Sequence, residues 1–171
     1  IFLPLIGAVL AGFFGHWLKP RGAQIVTCGC MLLSAVIACV ILAEVALGHA
    51  PRTIELFSWI NSGAFEVNWT LRFDTLTAVM VFVVTVVSSM VHVYSVGYMS
   101  HDPHIPRFMA YLGFFTFFML MLVTADNLLQ MFFGWEGVGL CSYLLIGFWY
   151  DKPEANSAAI KAFVVNRGGD F

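Results

Sequence analysis

Apolar residues occur along this chain in long runs, and short polar turns separate most of them. A helix rises about 1.5 Å per residue, so roughly 20 apolar residues cross a hydrocarbon core that is ~30 Å thick. The runs predict six membrane helices, over residues 1–18, 23–47, 75–98, 109–124, 128–150 and 155–171. The predicted fold class is therefore an all-α polytopic membrane protein, with residues 1–171 in a single membrane domain.

The longest run, residues 109–150, is too long for one crossing, because as a single helix it would measure about 63 Å. Its polar break is Ala125-Asp126-Asn127, so we expect the chain to turn there, with Asp126 or Asn127 capping the next helix. The chain begins and ends inside apolar runs, so we also expect a fragment whose sixth helix is truncated.

The segment between the second and third helices has a different period. Every second residue of 65–73 is apolar, and polar residues lie between them, a period typical of a half-buried strand. Residues 54–60 are a plausible partner strand, and Asn61-Ser62-Gly63 has the chemistry of a hairpin turn. We expect a short β-hairpin at about 52–73 on the membrane surface, followed by Asp74 as the cap of the third helix.

Composition supports an integral membrane protein. The 171 residues are 60% hydrophobic and 11% charged, whereas soluble domains carry roughly 25% charge. Eight Lys and Arg against ten Asp and Glu leave no basic surface for nucleic acid. The four cysteines are interpreted as packing residues, and the loop His101-Asp102-Pro103-His104 as a solvated turn, so we expect no metal site.

Loop charge predicts the orientation. The turns after the first, third and fifth helices carry basic residues, namely Lys19, Arg21, Arg107 and Lys152. Because short basic loops remain on the inner side of a membrane, the N-terminus and the hairpin are expected outside.

Glu136 is the strongest functional candidate. It is the only acidic or basic side chain of the apolar run 128–150 and lies roughly 12 Å from the start of that helix. A charge near the bilayer centre costs at least about 2.5–3.5 kcal/mol, so such residues are paired or functional. Three nearby glycines, Gly134, Gly137 and Gly139, would let a neighbouring helix or water approach the carboxylate. A proton or ion site is the preferred interpretation, and simple helix packing is the alternative.

The sixth helix carries the candidate partners. Arg167 is expected at a depth similar to that of Glu136, about 18 Å from the inner surface. Asp170 follows three residues later and shares its helix face. Lys161 is shallower, where a long side chain can reach the interface, so anchoring is its alternative role. This spacing predicts an acid, a base and a second acid at one level of adjacent helices.

At these residues the chain resembles a known family, the chain 5 or subunit L family of antiporter-like subunits of respiratory complex I (NADH:quinone oxidoreductase). The matching segments are Asp126-Asn127-Leu128-Leu129, Gly134-Trp135-Glu136-Gly137-Val138-Gly139-Leu140-Cys141-Ser142-Tyr143-Leu144-Leu145-Ile146-Gly147-Phe148 and Lys161-Ala162-Phe163-Val164-Val165-Asn166-Arg167. The resemblance is strong from about Phe73 onward and weak before it. It departs at Gly168, where the family usually has valine.

The resemblance implies a proton-translocating membrane-arm subunit of a redox-driven oxidoreductase of the translocase class, in which Glu136 is a proton-channel acid. Arg167, Asp170 and Lys161 are expected as modulators or relay groups, and a lysine on a seventh helix as a further partner. The subunit would carry out no redox chemistry itself, because NADH, FMN, iron–sulfur clusters and quinone would bind other subunits of the complex. Its expected partners are neighbouring membrane-arm subunits, lipid and protons, in a bacterial or mitochondrial inner membrane. The alternative function is a subunit of a multi-subunit Na⁺/H⁺ antiporter.

Overall fold

Apolar helices pack side by side through most of the described chain, which comprises residues 1–46, 48, 51–63 and 65–169 of a computed structural model. The helices are α1 (Phe2–Phe13), α2 (Gly15–Ala46), α3 (Thr75–Tyr98), α4 (Ile105–Val123), α5 (Leu128–Ile146) and α6 (Pro153–Gly169). The strands β1 (Arg52–Ser62) and β2 (Phe65–Phe73) form an antiparallel two-stranded sheet. The helical membrane fold with a hairpin between α2 and α3 is therefore confirmed.

Four helices in the described residues, α2 to α5, are long and apolar enough to cross a membrane. α1 is apolar but shorter, with 12 residues, and α6 has 17 described residues. Helix α4 lies at the centre of the bundle, because it packs against α1, α2, α3 and α5. Helix α6 packs on α5 at one side.

The first predicted helix ends earlier than expected, and a kink replaces the predicted turn. α1 stops at Phe13 rather than at residue 18, and residues 15–18 form the first turn of α2. The backbone then leaves helical geometry at Lys19, with φ 58° and ψ 168°. Proline disfavours the helical conformation of the residue before it, so Pro20 accounts for the break at that point. The predicted end of the second helix, residue 47, lies outside the described residues.

The limits of the later helices follow from their caps. α3 has the predicted bounds, and its start is fixed by the Asp74 carboxylate, which accepts a hydrogen bond from the Thr77 N–H at 2.8 Å. That bond holds the pKa of Asp74 below its ordinary value. α4 and α6 begin before the predicted residues 109 and 155, because Pro106 and Pro153 lie in their first turns, where proline is tolerated. α5 ends at Ile146 rather than residue 150, at the Gly147 cap.

The hairpin is longer than predicted on its first strand. Ser62 pairs with Phe65, so Asn61 and Ser62, which were predicted to lie in the turn, belong to the first strand. Gly63 has φ +63°, a left-handed conformation that glycine adopts without strain. The predicted burial of the apolar positions of β2 is present at Val67, Trp69 and Leu71, whereas Phe65 is exposed and the polar Thr70 is buried as well.

The hairpin is bound to the end of the bundle where α4 turns into α5. Trp69 and Leu71 pack against Phe117 and Met121 of α4. The Arg72 N–H donates to the Thr124 carbonyl at 3.0 Å. These contacts place the hairpin beside the α4–α5 loop.

The opposite end of the bundle carries Lys19 and Arg107, two of the basic residues used to predict the orientation. Met99, Ile105, Met109 and Phe148 form one buried cluster, so the α3–α4 loop and the α5–α6 turn meet there. Arg107 Nη2 donates to the Phe148 carbonyl at 3.1 Å, and its guanidinium lies 4.6 Å from the Phe148 ring centre. The predicted alternation of loops between two ends is therefore present, while their orientation in the membrane remains a prediction.

The loop 101–104 is held by Asp102. Its carboxylate accepts hydrogen bonds from the His104 backbone N–H at 2.7 Å and from Trp149 Nε1 at 2.9 Å. Burial raises the pKa of Asp102, but these hydrogen bonds outweigh it and hold the pKa below its ordinary value. The loop was interpreted as a solvated turn, and His101, Pro103 and His104 are indeed exposed.

Candidate functional site at Glu136

Glycines bring α5 into close contact with α4 on the side next to Glu136. A Cβ atom on Gly134 would lie 2.7 Å from the backbone N and Cα of Leu122. A Cβ on Gly137 would overlap the Phe118 ring. A Cβ atom on Gly139 would have no neighbouring atom within 4 Å. Two of the three predicted glycines therefore permit close helix packing, and Gly139 does not serve that purpose here.

The carboxylate of Glu136 forms an ion pair with Arg167 of α6. Glu136 Oε2 lies 2.5 Å from Arg167 Nη2. The Glu136 side chain is 17% exposed and that of Arg167 is 45% exposed. Short hydrogen bonds between two charged groups are roughly twice as strong as neutral ones. Sequence spacing predicted these residues at one depth, and the structure brings them into contact.

Phe163 supports the arginine from the same helix. Its ring centre lies 4.8 Å from the Arg167 guanidinium carbon, and it also lies 5.4 Å from the Tyr143 ring of α5. A cation within about 6 Å of a ring centre is attracted by the negative face of the ring. The aromatic ring thus stabilises the arginine in the position from which it reaches Glu136.

The ion pair lines a cavity of about 330 Å³ between α4, α5 and α6. Glu136, Asn166 and Arg167 are its polar members. Its other lining residues are Met119, Leu122, Trp135, Val138, Gly139 and Phe163. A cavity of this size has room for several water molecules, since each occupies ≈30 Å³ in the liquid. The arrangement can hold a carboxylate, its counter-ion and water in an otherwise apolar setting.

The other predicted site residues are not part of this contact. Lys161 is exposed on α6 and is not among the described residues that line the cavity. Asp170 lies outside the described residues. Sequence reasoning missed Phe163 and Asn166. The four-residue spacing of Phe163 and Arg167 on a helix could have identified the first, whereas Asn166 carried no comparable signal.

A larger cavity of about 640 Å³ lies at the basic end, between the α1–α2 junction and the start of α4. His16, Lys19, His104 and Arg107 are among its lining residues, and no carboxylate lines it in the described chain. It lacks an acid that could exchange a proton with a base, so the smaller cavity at Glu136 is the better candidate for ion chemistry.

These features define an integral helical membrane protein with a counter-ion-paired carboxylate in its bundle. Two family models match the chain. Residues 59–109 match "NADH-Ubiquinone oxidoreductase (complex I), chain 5 N-terminus", and residues 125–171 match "NADH:quinone oxidoreductase/Mrp antiporter, TM".

Individual relatives agree with both models. NADH-ubiquinone oxidoreductase chain 5 of Chondrus crispus is 56% identical over 171 residues, which are 100% of this chain and 26% of the relative. Chain 5 of Marchantia polymorpha is 55% identical with the same coverage. NADH-quinone oxidoreductase subunit L of Rhodobacter capsulatus is 54% identical over 178 residues, covering 100% of this chain and 25% of the relative.

The chain belongs to the chain 5 or subunit L family of antiporter-like complex I subunits. It spans about a quarter of the length of the curated relatives it matches. The family interpretation drawn from the motifs at Glu136 and Arg167 is confirmed.

Proposed function

We propose that this chain is part of a proton-translocating membrane-arm subunit of an NADH:quinone oxidoreductase, with Glu136 as a proton-carrying acid. The observation that carries the proposal is the Glu136–Arg167 ion pair beside a cavity of about 330 Å³. The names of the relatives, an NADH-ubiquinone oxidoreductase chain 5 and an NADH-quinone oxidoreductase subunit L, suggest the assembly and the overall reaction.

The surroundings of Glu136 suit a proton carrier, because such a group must be accessible in both its charged and its neutral form. The guanidinium of Arg167 favours the carboxylate, while the apolar lining of the cavity favours the protonated acid. Separation of the pair would leave a partly buried, unpaired carboxylate and promote uptake of a proton from cavity water. Arg167 is therefore proposed as the group that controls the charge state of Glu136.

The rest of the proposal concerns the parent assembly. Electron transfer would occur on other subunits, which would hold NADH, FMN, iron–sulfur clusters and quinone. This chain would contact neighbouring antiporter-like subunits and lipid in a bacterial or mitochondrial inner membrane. Lys161 and Asp170 are proposed as modulators or relay groups beyond the ion pair, and a lysine on a further helix as the next acceptor.

The test is substitution of Glu136 in the full-length protein within the intact complex. Glu136→Gln preserves shape and hydrogen bonding but removes titration, so it should abolish most proton pumping while the complex still assembles. Glu136→Asp retains a carboxylate and should retain more pumping. Assembly is measured on native gels, NADH oxidation by absorbance, and pumping with a pH-sensitive dye in vesicles. Normal pumping by a fully assembled Glu136→Gln complex would show that Glu136 is a packing residue.

A second candidate function is a subunit of a multi-subunit Na⁺/H⁺ antiporter, because the description of the family model over 125–171 also names the Mrp antiporter. The same acid would then exchange ions without electron transfer. Copurification of the full-length protein with a peripheral NADH-oxidising arm supports the oxidoreductase. Sodium-driven proton exchange in the absence of such an arm would support the antiporter.

A further inference from the structure

The cavity of about 640 Å³ at the basic end of the bundle is large enough for a small molecule, because ligand pockets usually measure about 300–1,000 Å³. Small residues line the wall where the α1–α2 junction touches α4. Ala11 and Ala110 belong to one buried cluster, and a Cβ atom on Gly15 would lie 2.7 Å from the Pro106 Cβ. This close contact fixes the two sides of the cavity relative to each other.

The polar lining of this cavity is basic and comprises His16, Lys19, His104 and Arg107. Among the described residues, neither Lys19 nor Arg107 has a carboxylate within 4.0 Å. Asp102 lies 3.7 Å from the His104 ring and interacts with the charge of Arg107 at longer range, but it does not line the cavity. Lys19 and Arg107 therefore give the cavity a positive charge that its lining does not neutralise.

Arg107 is held in place by uncharged partners. Its Nη2 donates to the Phe148 carbonyl at 3.1 Å, and its guanidinium lies over the rings of Phe148 and Tyr150. These contacts orient the arginine without cancelling its charge. Its Nε is enclosed by protein, so only the Nη groups could reach a ligand. A planar guanidinium fixed in this way suits the oxygens of a phosphate group.

Aromatic residues place the cavity at the membrane boundary. Trp17 lies between two lining residues and is 84% exposed, and tryptophan is enriched at the level of lipid headgroups. Tyr111 and Phe114 also line the cavity, and along α4 they lie roughly 6 Å and 11 Å beyond Arg107 toward the middle of the bundle. The cations thus lie at the outer end of the cavity and aromatic rings lie deeper, which is the order of phosphate and acyl chain in a phospholipid.

We propose that this cavity binds the headgroup of an anionic phospholipid, with its phosphodiester at Lys19 and Arg107 and the start of an acyl chain against Tyr111 and Phe114. Basic pockets between membrane helices suit anionic headgroups. A zwitterionic headgroup is a poorer fit, because its ammonium group would meet the same cations. A free phosphate ion would leave the aromatic part of the cavity without a contact. The inference is independent of the proposed proton-carrying role of Glu136.

The site is tested by photo-crosslinking of the full-length protein in its native assembly, reconstituted into lipid nanodiscs. One sample contains a phosphatidylglycerol with a photoreactive group near the glycerol end of an acyl chain, and the other contains the matching phosphatidylcholine. Mass spectrometry then locates the labelled residues. Phosphatidylglycerol should label the cavity wall formed by α1 and α4 more strongly than phosphatidylcholine does. Equal labelling by the two lipids would overturn the proposal.

Variants of Lys19 test the role of its charge. Lys19→Gln should reduce labelling of the cavity wall by phosphatidylglycerol about fivefold, the factor that one cation contributes near an anionic membrane surface. Lys19→Arg retains the charge and should retain the label. Arg21→Gln is the matched control, because it removes the same charge two residues away without lining the cavity, and it should label as the wild type does. An equal loss in Arg21→Gln and Lys19→Gln would show only a general attraction to the membrane surface and would overturn the proposal.

Arg107→Gln should reduce the label at least as much as Lys19→Gln. Its assembly is measured on native gels, and the Lys19 variants decide the claim if it fails to assemble, since Lys19 is exposed. Inorganic phosphate, added at constant ionic strength, should not displace the lipid label. Displacement by phosphate would assign the cavity to a free anion and would overturn the assignment to a lipid.

Discussion

The two sides of α5 are built in opposite ways. On the side facing α4, Gly134 and Gly137 remove side chains so that the helices approach backbone to backbone. On the side facing α6, Glu136 and Arg167 form an ion pair beside a cavity, and Arg167 remains 45% exposed. At the two glycines there is no space for a side chain, whereas the cavity beside Glu136 has room for water.

This difference assigns separate tasks to one helix. Close packing against α4 fixes the position of α5, and with it the position of the carboxylate. Contact with α6 through an ion pair is less constrained than the contact with α4, because the described residues leave 45% of the Arg167 side chain uncovered. We therefore expect substitutions on the α4 side to damage assembly and substitutions on the α6 side to damage function first.

The largest effect is expected from Gly134→Ala. The added methyl would meet Leu122 backbone atoms at 2.7 Å, which cannot move without shifting α4. Overpacking of this kind costs about 1–3 kcal/mol, and backbone contact favours the upper end. The yield of assembled complex on native gels and its midpoint denaturation temperature should both fall.

Gly139→Ala is the matched control for this prediction. It makes the same chemical change in the same helix, but its Cβ would meet no atom within 4 Å. It should assemble as the wild type does. Equal behaviour of the two variants, in either direction, would contradict the assignment of the α4 side to close packing.

Sequence alone predicted much of this arrangement, for identifiable reasons. Membrane helices can be recognised from the length of their apolar runs. The start of α3 was predicted because Asp74 is an unambiguous N-terminal cap. The predicted starts of α4 and α6 were too late, because the prolines there were assigned to loops. Proline is nevertheless tolerated in the first turn of a helix. Pro20 indicates a break at Lys19, but the sequence pattern did not show that α2 begins before it, at Gly15.

The candidate site, like the fold, was predicted only in part from the sequence. Glu136 and Arg167 stood out because charges are rare in apolar runs, and helix rise placed them at one depth. Depth does not determine which helix faces point at each other, so the contact itself needed the structure. Gln130 was missed because one neutral amide in an apolar run carries little signal. It is fully buried, and its Oε1 accepts a hydrogen bond from the Thr70 N–H of β2 at 3.1 Å.

Gln130→Leu should have an intermediate effect, and the property affected is the stability of the hairpin. Gln130 lies on the side of α5 that contacts the hairpin. Loss of the amide leaves the buried Thr70 N–H without its acceptor, which costs about 1–3 kcal/mol. Amide hydrogen exchange in residues 65–73 should accelerate by about five- to 150-fold where local opening controls it. Glu66→Gln, an exposed change on the same strand, should leave exchange unchanged. Unaltered exchange in Gln130→Leu would show that packing of Trp69 and Leu71 holds the hairpin without this bond.

The smallest effect is expected from Phe163→Leu on the side facing α6. The leucine remains apolar and fills part of the space, but it loses the attraction between the ring and the Arg167 guanidinium, worth about 0.5–1 kcal/mol at a partly exposed site. It also loses the ring contact with Tyr143. Assembly should be unchanged within error, while the arginine becomes less well held and pumping falls modestly. Val164→Leu, an exposed neighbour on the same helix, is the control and should pump normally. A Phe163→Leu complex that assembled poorly would mean that the α6 side of α5 is also held by close packing. The proposed distinction between the two sides of α5 would then be wrong.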